Sequence, residues 1–146
     1  MGVRGIMNDV LREHVGLDNQ EVRPPVYIAG AFGGNPTHNT QIAIQVGKVA
    51  QEKGFAPFVP HTSILEGVYG CEDIPQERNN GMVSTLSLVV AFAQQPFAHL
   101  WVIEEKDGTR SQGTQMEYEV WCQIRQGLGL PLNHKQKTHR DWITQI

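Results

Sequence analysis

The chain has 146 residues, of which 40% are hydrophobic and 18% are charged, with a formal net charge of -3. This length suits one domain with a single hydrophobic core, and the composition is not that of a disordered chain. The slightly acidic balance argues against a nucleic-acid backbone as the main partner. No apolar run approaches the roughly 18 residues that a membrane-spanning helix needs.

The N-terminus and the cysteines indicate the compartment. Charged side chains such as Arg4 and Asp9 interrupt the first turns, where a signal peptide would have its apolar core. We therefore expect a cytoplasmic protein that does not bind membranes. Cys71 and Cys122 form no CxxC motif and have no paired histidines nearby, which favours free thiols over a disulfide or metal site. We expect no metal and no other cofactor.

The first part of the chain predicts an extension followed by a strand, a loop and a helix. Residues 1–24 form the N-terminal extension, with a short amphipathic helix that ends near Gly16. A Pro-Pro pair breaks that helix, and the apolar residues 26–29 read as a strand. A glycine-rich loop over 30–36 leads into a helix with apolar residues on one face, namely Ile42, Val46, Val49 and Ala50.

The same order repeats along the chain. A second strand over 55–59 is followed by an irregular stretch over 62–73 and a helix over 75–94. A third strand over 98–103 is followed by a polar loop over 104–112 and a helix over 115–126. Strands that alternate with helices indicate an α/β fold, here a single Rossmann-like (flavodoxin-like) parallel sheet flanked by helices. We expect this domain to cover residues 25–133.

The last segment, 134–146, is predicted to be a basic C-terminal tail on the surface, with Trp142 docking back onto the domain. A final short strand is also expected from Pro131 onward. Trp101 and Trp121 are interpreted as core or interface aromatics.

The loops at the carboxyl ends of parallel strands are where such sheets bind ligands. The first of these loops contains Gly30, Ala31, Phe32, Gly33 and Gly34 just before a helix. Its backbone can approach a phosphate or a sugar hydroxyl closely, or it can simply form a tight turn. It has neither a Walker A sequence nor the full GxGxxG spacing.

The third loop brings Ser111, Gly113 and Glu117 to the start of the last predicted helix. Met116, Val120 and Ile124 form the apolar stripe that we expect to face the core. Glu117 falls next to this stripe in the first turn, so its carboxylate either faces the crevice as a nucleophile or general acid/base, or compensates the helix dipole.

The roles of five further residues remain open at this point. His61 follows the second strand and is expected to face the same crevice, or else to cap a loop. Tyr27 lies inside the first strand and either reaches the site or packs in the core. Asp73, Glu77 and Arg78 precede or begin the middle helix, where helix capping and a surface ion pair are the ordinary interpretation.

Four short motifs occur in this order: Val26-Tyr27-Ile28-Ala29-Gly30, Gly33-Gly34, Pro60-His61 and Ser111-x-Gly113-x-x-x-Glu117. In this combination the chain resembles the nucleoside 2-deoxyribosyltransferase superfamily. Within it, the chain is most similar to the deoxynucleoside 5'-monophosphate N-glycosidases and to uncharacterised, often phage-borne, relatives. The likeness covers roughly residues 25–133.

The resemblance implies a Rossmann-like fold and cleavage of an N-glycosidic bond. It implies that Glu117 attacks the anomeric carbon of the sugar and that Tyr27 positions its carboxylate. Ser111 would contact the 5'-phosphate, at a position where related transferases of unphosphorylated nucleosides tend to carry aspartate. The first loop would hold the sugar and phosphate through Gly30, Ala31, Phe32, Gly33 and Gly34.

One family feature has no counterpart. The family carries an aspartate on the middle helix that protonates or orients the base, and here the stretch reads Glu77-Arg78-Asn79-Asn80-Gly81. We expect an N-glycosidase that hydrolyses a (deoxy)nucleoside 5'-monophosphate. The alternatives are a nucleoside 2-deoxyribosyltransferase and a protein that binds or senses a nucleotide without turnover. The resemblance also implies a homodimer or higher homo-oligomer with a small-molecule nucleotide or nucleoside as partner.

Overall fold

The computed structural model describes residues 2–62 and 74–144 and confirms the predicted α/β fold. Four parallel strands form one sheet in the order β2-β1-β3-β4. The elements in chain order are α1 (Val3–Val15), β1 (Pro25–Ala29), α2 (Pro36–Glu52), β2 (Ala56–Phe58), α3 (Pro75–Ala93), β3 (His99–Glu104), α4 (Gln112–Gly127), β4 (His134–Thr138) and α5 (His139–Ile143). The irregular stretch expected over 62–73 lies, from residue 63 onward, outside the described residues.

The central strands are apolar on both sides because helices cover both faces of the sheet. On one face, Val26 and Ile28 of β1 pack with α2 and with Trp101. On the other face, Tyr27 and Ala29 pack with α3 and α4. Alternate residues of one strand thus enter two separate cores, and this alternation directs the Tyr27 side chain towards α3 and α4.

The strand order reverses next to β1. The chain passes from β1 to β2 through α2, and then returns across α3 to β3, which pairs with the other edge of β1. The loops after β1 and β3 therefore leave the sheet on opposite faces. A crevice forms at such a reversal at the carboxyl ends of the strands, where open α/β sheets bind ligands.

The N-terminal part of the chain forms a helix, whereas the C-terminal part adds a strand to the sheet. Helix α1 ends at Gly16, whose φ of 70° is the left-handed conformation that closes many helices. At the other end, residues 134–138 form the short strand expected after Pro131, β4, which pairs with β3 and places this basic segment at the edge of the sheet. Its lysines suit an edge strand, where charged side chains discourage pairing with other chains. The expected docking of Trp142 is confirmed, since its ring stacks on Trp101 at 4.4 Å between centroids.

The buried face of α4 also differs from the prediction. Its fully buried residues are Thr114, Glu117, Trp121 and Arg125, one position beyond the apolar stripe that was expected to face the core. Met116, Val120 and Ile124 are half-buried. Polar side chains can occupy the buried face because each finds a partner, as Arg125 does with the carbonyl oxygens of Ala93, Gln95, Pro96 and Pro131.

Trp101 and Trp121 are both buried within the chain and belong to the two cores. In the part of the chain that is described, no helix has both the length and the apolar character required to cross a membrane.

Candidate functional site

A cavity of about 550 Å³ opens at the carboxyl edge of the sheet, between the loop after β1 and the N-terminal halves of α3 and α4. Eight of the ten residues predicted to form the site line it, namely Gly30, Ala31, Phe32, Gly33, His61, Ser111, Gly113 and Glu117. Gly34 lies in the same loop but is exposed and does not line the cavity. Tyr27 lies behind Glu117 in the core.

Glu117 lies farther along α4 than expected. The helix begins at Gln112 instead of residue 115, with Ser111 as its N-cap, so Glu117 is in the second turn. Its side chain points inward, and the residue is only 7% exposed. Compensation of the helix dipole acts within the first turn, so it does not account for this carboxyl group.

The Tyr27 hydroxyl donates a hydrogen bond to Oε2 of Glu117. This contact joins β1 to α4 and fixes the carboxyl group at the wall of the cavity. Burial raises the pKa of Glu117 to about 8, while the hydrogen bond from Tyr27 opposes that rise. Burial also raises the pKa of Tyr27, and the neighbouring carboxylate adds to the effect. The site therefore holds a carboxyl group that gains or loses its proton near neutral pH.

The loop after β1 is held in place by side chains from α2 and from the end of β2. The Asn39 amide donates to the carbonyl oxygens of Phe32 and Gly33, at 3.2 and 2.9 Å. Nε2 of His61 lies 2.9 Å from the carbonyl oxygen of Ala31, so this nitrogen carries the proton. These hydrogen bonds restrain residues 31–33 of the loop, which line the cavity.

Gly30 is required by close packing at the point where β1 ends. A Cβ atom here would lie 3.3 Å from Cβ and Cδ1 of Ile103 on the neighbouring strand. The glycine therefore lets the loop leave the sheet directly beside β3, at the wall of the cavity that Glu117 also lines.

Ser111 and Gly113 form the α4 side of the cavity. The Ser111 hydroxyl accepts from the backbone N–H of Thr114 at 3.2 Å and also shares a 2.8 Å hydrogen bond with the Thr114 hydroxyl. Gly113 faces Met82 across the cavity, where an added Cβ would lie 3.4 Å from the methionine methyl group. Ser111 thus caps α4 and also lines the cavity.

Residues 24–127 match the family described as "Domain of unknown function (DUF7768)". This chain belongs to that family. The matched segment runs from the start of β1 to the end of α4, so it includes every residue of the cavity wall named above. No curated protein and no solved structure matches the chain.

The structure adds cavity residues that the sequence analysis did not assign to the site. Helix α3 contributes Arg78, Asn79, Met82 and Thr85, and further lining residues are Pro60, Gln112, Thr114 and Met116. The spacing of 78, 82 and 85 is that of one helix face, which is the signal that could have identified them. Arg78 was interpreted as a partner in a surface ion pair, and it forms none within the described ranges. Asp73 lies outside those ranges.

Metal ligation finds no support in the described residues. They contain no group of three or more histidine, cysteine, aspartate or glutamate side chains that could hold a metal ion. Cys122 is a free, half-buried thiol, and burial raises its pKa. Cys71 lies outside the described residues.

Proposed function

We propose that this protein is an N-glycosidase that hydrolyses the base–sugar bond of a (deoxy)nucleoside 5'-monophosphate, with Glu117 as the nucleophile. The observation that carries the proposal is the buried carboxyl group of Glu117 at the wall of a 550 Å³ cavity, held by the hydroxyl of Tyr27. The cavity has the volume of a small-molecule site. The resemblance to the deoxynucleoside 5'-monophosphate N-glycosidases supports the same assignment.

The proposed reaction has two steps. A carboxylate oxygen of Glu117 bonds to the anomeric carbon while the bond from that carbon to the base nitrogen breaks, and the electron pair leaves with the base. Water then attacks the same carbon and releases Glu117. The two protons of the water end on the sugar hydroxyl and on the base, so the products are a sugar phosphate and a free base. A second base in place of water would make the protein a transferase.

Glu117 must release its proton to solvent before it can attack, and it takes up a proton again after the second step. Its pKa of about 8 leaves the carboxyl group largely protonated at neutral pH without substrate. The positive charge that develops on the sugar lowers that pKa, so ionisation and bond cleavage reinforce each other. Tyr27 contributes a hydrogen bond that favours the charged carboxylate.

A nucleotide-binding protein without turnover is the second candidate. The same raised pKa favours it, because a protonated Glu117 can donate a hydrogen bond to a ligand without attacking it. Tyr27 would then fix the orientation of the acid.

Base release measured by chromatography separates these functions. We would incubate the wild type, Glu117→Gln and Glu119→Gln with a panel of nucleosides and their 5'-monophosphates. Glu119 lies on the exposed side of the same helix and bonds to Gln115, so it serves as the matched control. Release by the wild type and by Glu119→Gln but not by Glu117→Gln supports the N-glycosidase. Thermal stabilisation by nucleotides without release supports the binding protein, and undiminished release by Glu117→Gln contradicts the proposed nucleophile.

We also propose that two copies associate through the outer face of α3. Residues 79–98 contain no charged side chain, although α3 exposes Val83 and the turn that follows it exposes Phe97, at 64% and 78%. Charge depletion around exposed apolar side chains is typical of the centre of an interface, and symmetric self-association is its commonest form. Light scattering of the wild type and Val83→Lys tests this, and a wild type that is monomeric at all concentrations contradicts it.

A cytoplasmic location is part of this proposal. The proposed chemistry uses only side chains and water.

A further inference from the structure

We propose that Arg78 recognises the phosphate group of the substrate and makes the protein select nucleoside 5'-monophosphates over unphosphorylated nucleosides. This inference deepens the proposed function and rests on it. Arg78 lies in the first turn and a half of α3 and lines the same cavity as Glu117, while its side chain stays open to solvent.

The guanidinium of Arg78 is available to a ligand. Within the described ranges it forms no ion pair, and its side chain donates no hydrogen bond to another residue. Two other arginines of the domain are committed elsewhere: Arg110 bonds to Gln115 and approaches Glu104, and Arg125 bonds to four carbonyl oxygens. Of the described residues that line the cavity, Arg78 therefore supplies the positive charge with which an anionic ligand can pair.

The positions of Arg78 and Glu117 divide the cavity into two ends. The backbone carbonyl of Thr85 lies 3.5 Å from the Tyr27 hydroxyl, which holds Glu117. Arg78 precedes Thr85 by seven residues on α3, which is about 10 Å along a helix axis. A ligand that fits both ends has a carbon that becomes positively charged beside Glu117 and an anionic group near Arg78. In a nucleotide these are the anomeric carbon of the sugar and the 5'-phosphate.

The local electrostatics of α3 favour an anion beside Arg78. The N-cap residue Ile74 provides no side-chain hydrogen bond to the first turn, and a cation near the positive end of a helix is not favoured on its own. A bound phosphate would be attracted by both the guanidinium and the helix terminus. Across the cavity, the Ser111 hydroxyl already caps α4, so Ser111 can add a neutral hydrogen bond but no charge.

Steady-state kinetics with matched substrates test the assignment. We would compare each nucleoside with its 5'-monophosphate on the wild type, Arg78→Gln, Arg78→Lys and the control Arg140→Gln, an exposed arginine on α5. We expect Arg78→Gln to raise the KM for the monophosphate by about 10- to 100-fold, the range for losing a charged hydrogen bond. The KM for the nucleoside should change far less, Arg78→Lys should recover part of the loss, and Arg140→Gln should match the wild type.

Thermal stabilisation by the same ligands keeps this inference distinct from the proposed reaction. If the wild type releases no base but is stabilised by monophosphates, the proposed reaction is wrong. The phosphate contact is still supported in that case if Arg78→Gln loses the stabilisation and Arg140→Gln keeps it. The Arg78 assignment is overturned if Arg78→Gln changes the KM or the thermal stabilisation equally for nucleoside and monophosphate, or changes neither. The proposed reaction is then judged separately, by whether the wild type releases base. A wild type that neither releases base nor is stabilised overturns both.

Discussion

Tyr27 and Glu117 lie 90 residues apart in the sequence and form one buried hydrogen-bonded pair that joins β1 to α4. The pair lies at the boundary between the second hydrophobic core and the cavity, so Glu117 contacts the cavity on one side and apolar side chains on the other. Packing in the core therefore fixes the position of the carboxyl group at the surface of the site.

Replacing Tyr27 by phenylalanine should shift the pH dependence of the reaction. The Tyr27 hydrogen bond lowers the pKa of Glu117, so its loss raises that pKa further above about 8. Because the attacking form is the carboxylate, kcat/KM for base release should rise with pH in the wild type, and in Tyr27→Phe the rise should move to higher pH. Tyr118→Phe, a half-buried tyrosine of α4 outside the cavity, is the control. An unchanged profile in Tyr27→Phe would refute the role of the hydroxyl.

Glu117 should also make the fold less stable at high pH. Its pKa is raised from 4.5 to about 8 in the folded protein, so folding favours the protonated form. The stabilisation that depends on the protonated carboxyl group is fully present below pH 4.5 and is lost as the pH rises from 4.5 to about 8. Above pH 8 the ionisation of Glu117 no longer changes the free energy of unfolding. At about 1.4 kcal/mol per pKa unit, the cost above pH 8 is on the order of 5 kcal/mol.

Glu117→Gln keeps the shape of the side chain and cannot ionise, so the variant should lack this part of the pH dependence. We would measure the free energy of unfolding of both proteins between pH 5 and pH 9 by denaturant titration. The difference between variant and wild type should grow in favour of the variant across this interval. A constant difference would mean that Glu117 ionises with an ordinary pKa.

Replacing Gly30 by alanine should strain the sheet beside the cavity. The new methyl group would lie 3.3 Å from Ile103, and overpacking of this kind costs about 1–3 kcal/mol. Ile103→Val removes one of the two contacting atoms, so the double variant should recover part of the loss. Gly127→Ala is the control, because a Cβ at that position meets nothing within 4 Å. Equal unfolding energies for Gly30→Ala and the wild type would contradict the close approach.

Arg125 should be a strong determinant of stability and should not affect ligand binding directly. Its guanidinium is fully buried and donates to carbonyl oxygens in two loops, one before β3 and one before β4. Arg125→Met removes all four of these hydrogen bonds, and of the four carbonyl oxygens that of Gln95 keeps the backbone N–H of Ala98 as a donor. The loss should cost about 3 kcal/mol or more. Arg140→Met, on the exposed side of α5, should change the unfolding energy by less than about 0.5 kcal/mol. Similar midpoints for the two variants in urea would disprove this role.

The sequence predicted the order of elements from β1 to α4 and the edge of the sheet that carries the cavity, because both follow from local patterns of apolar residues and glycines. It did not predict which face of α4 is buried. Glu117 and Arg125 have ionisable side chains, so a pattern based on hydrophobicity leaves them outside the apolar stripe, and partners such as Tyr27 and Ala93 come from distant parts of the chain. Arg78 was missed for a related reason, since a charged residue in a first turn resembles ordinary surface chemistry until α3 is placed beside α4.

The C-terminal segment has a consequence for where this fold can be divided. The family match ends at residue 127, but β4 and α5 follow that point. A fragment that stopped there would leave the long edge of β3 unpaired and the indole of Trp101 without its stacking partner. Such an edge is a template for strands of other molecules. Strand β4 and helix α5 therefore cover the edge of β3 and the indole of Trp101, and a domain excised at the family boundary should aggregate.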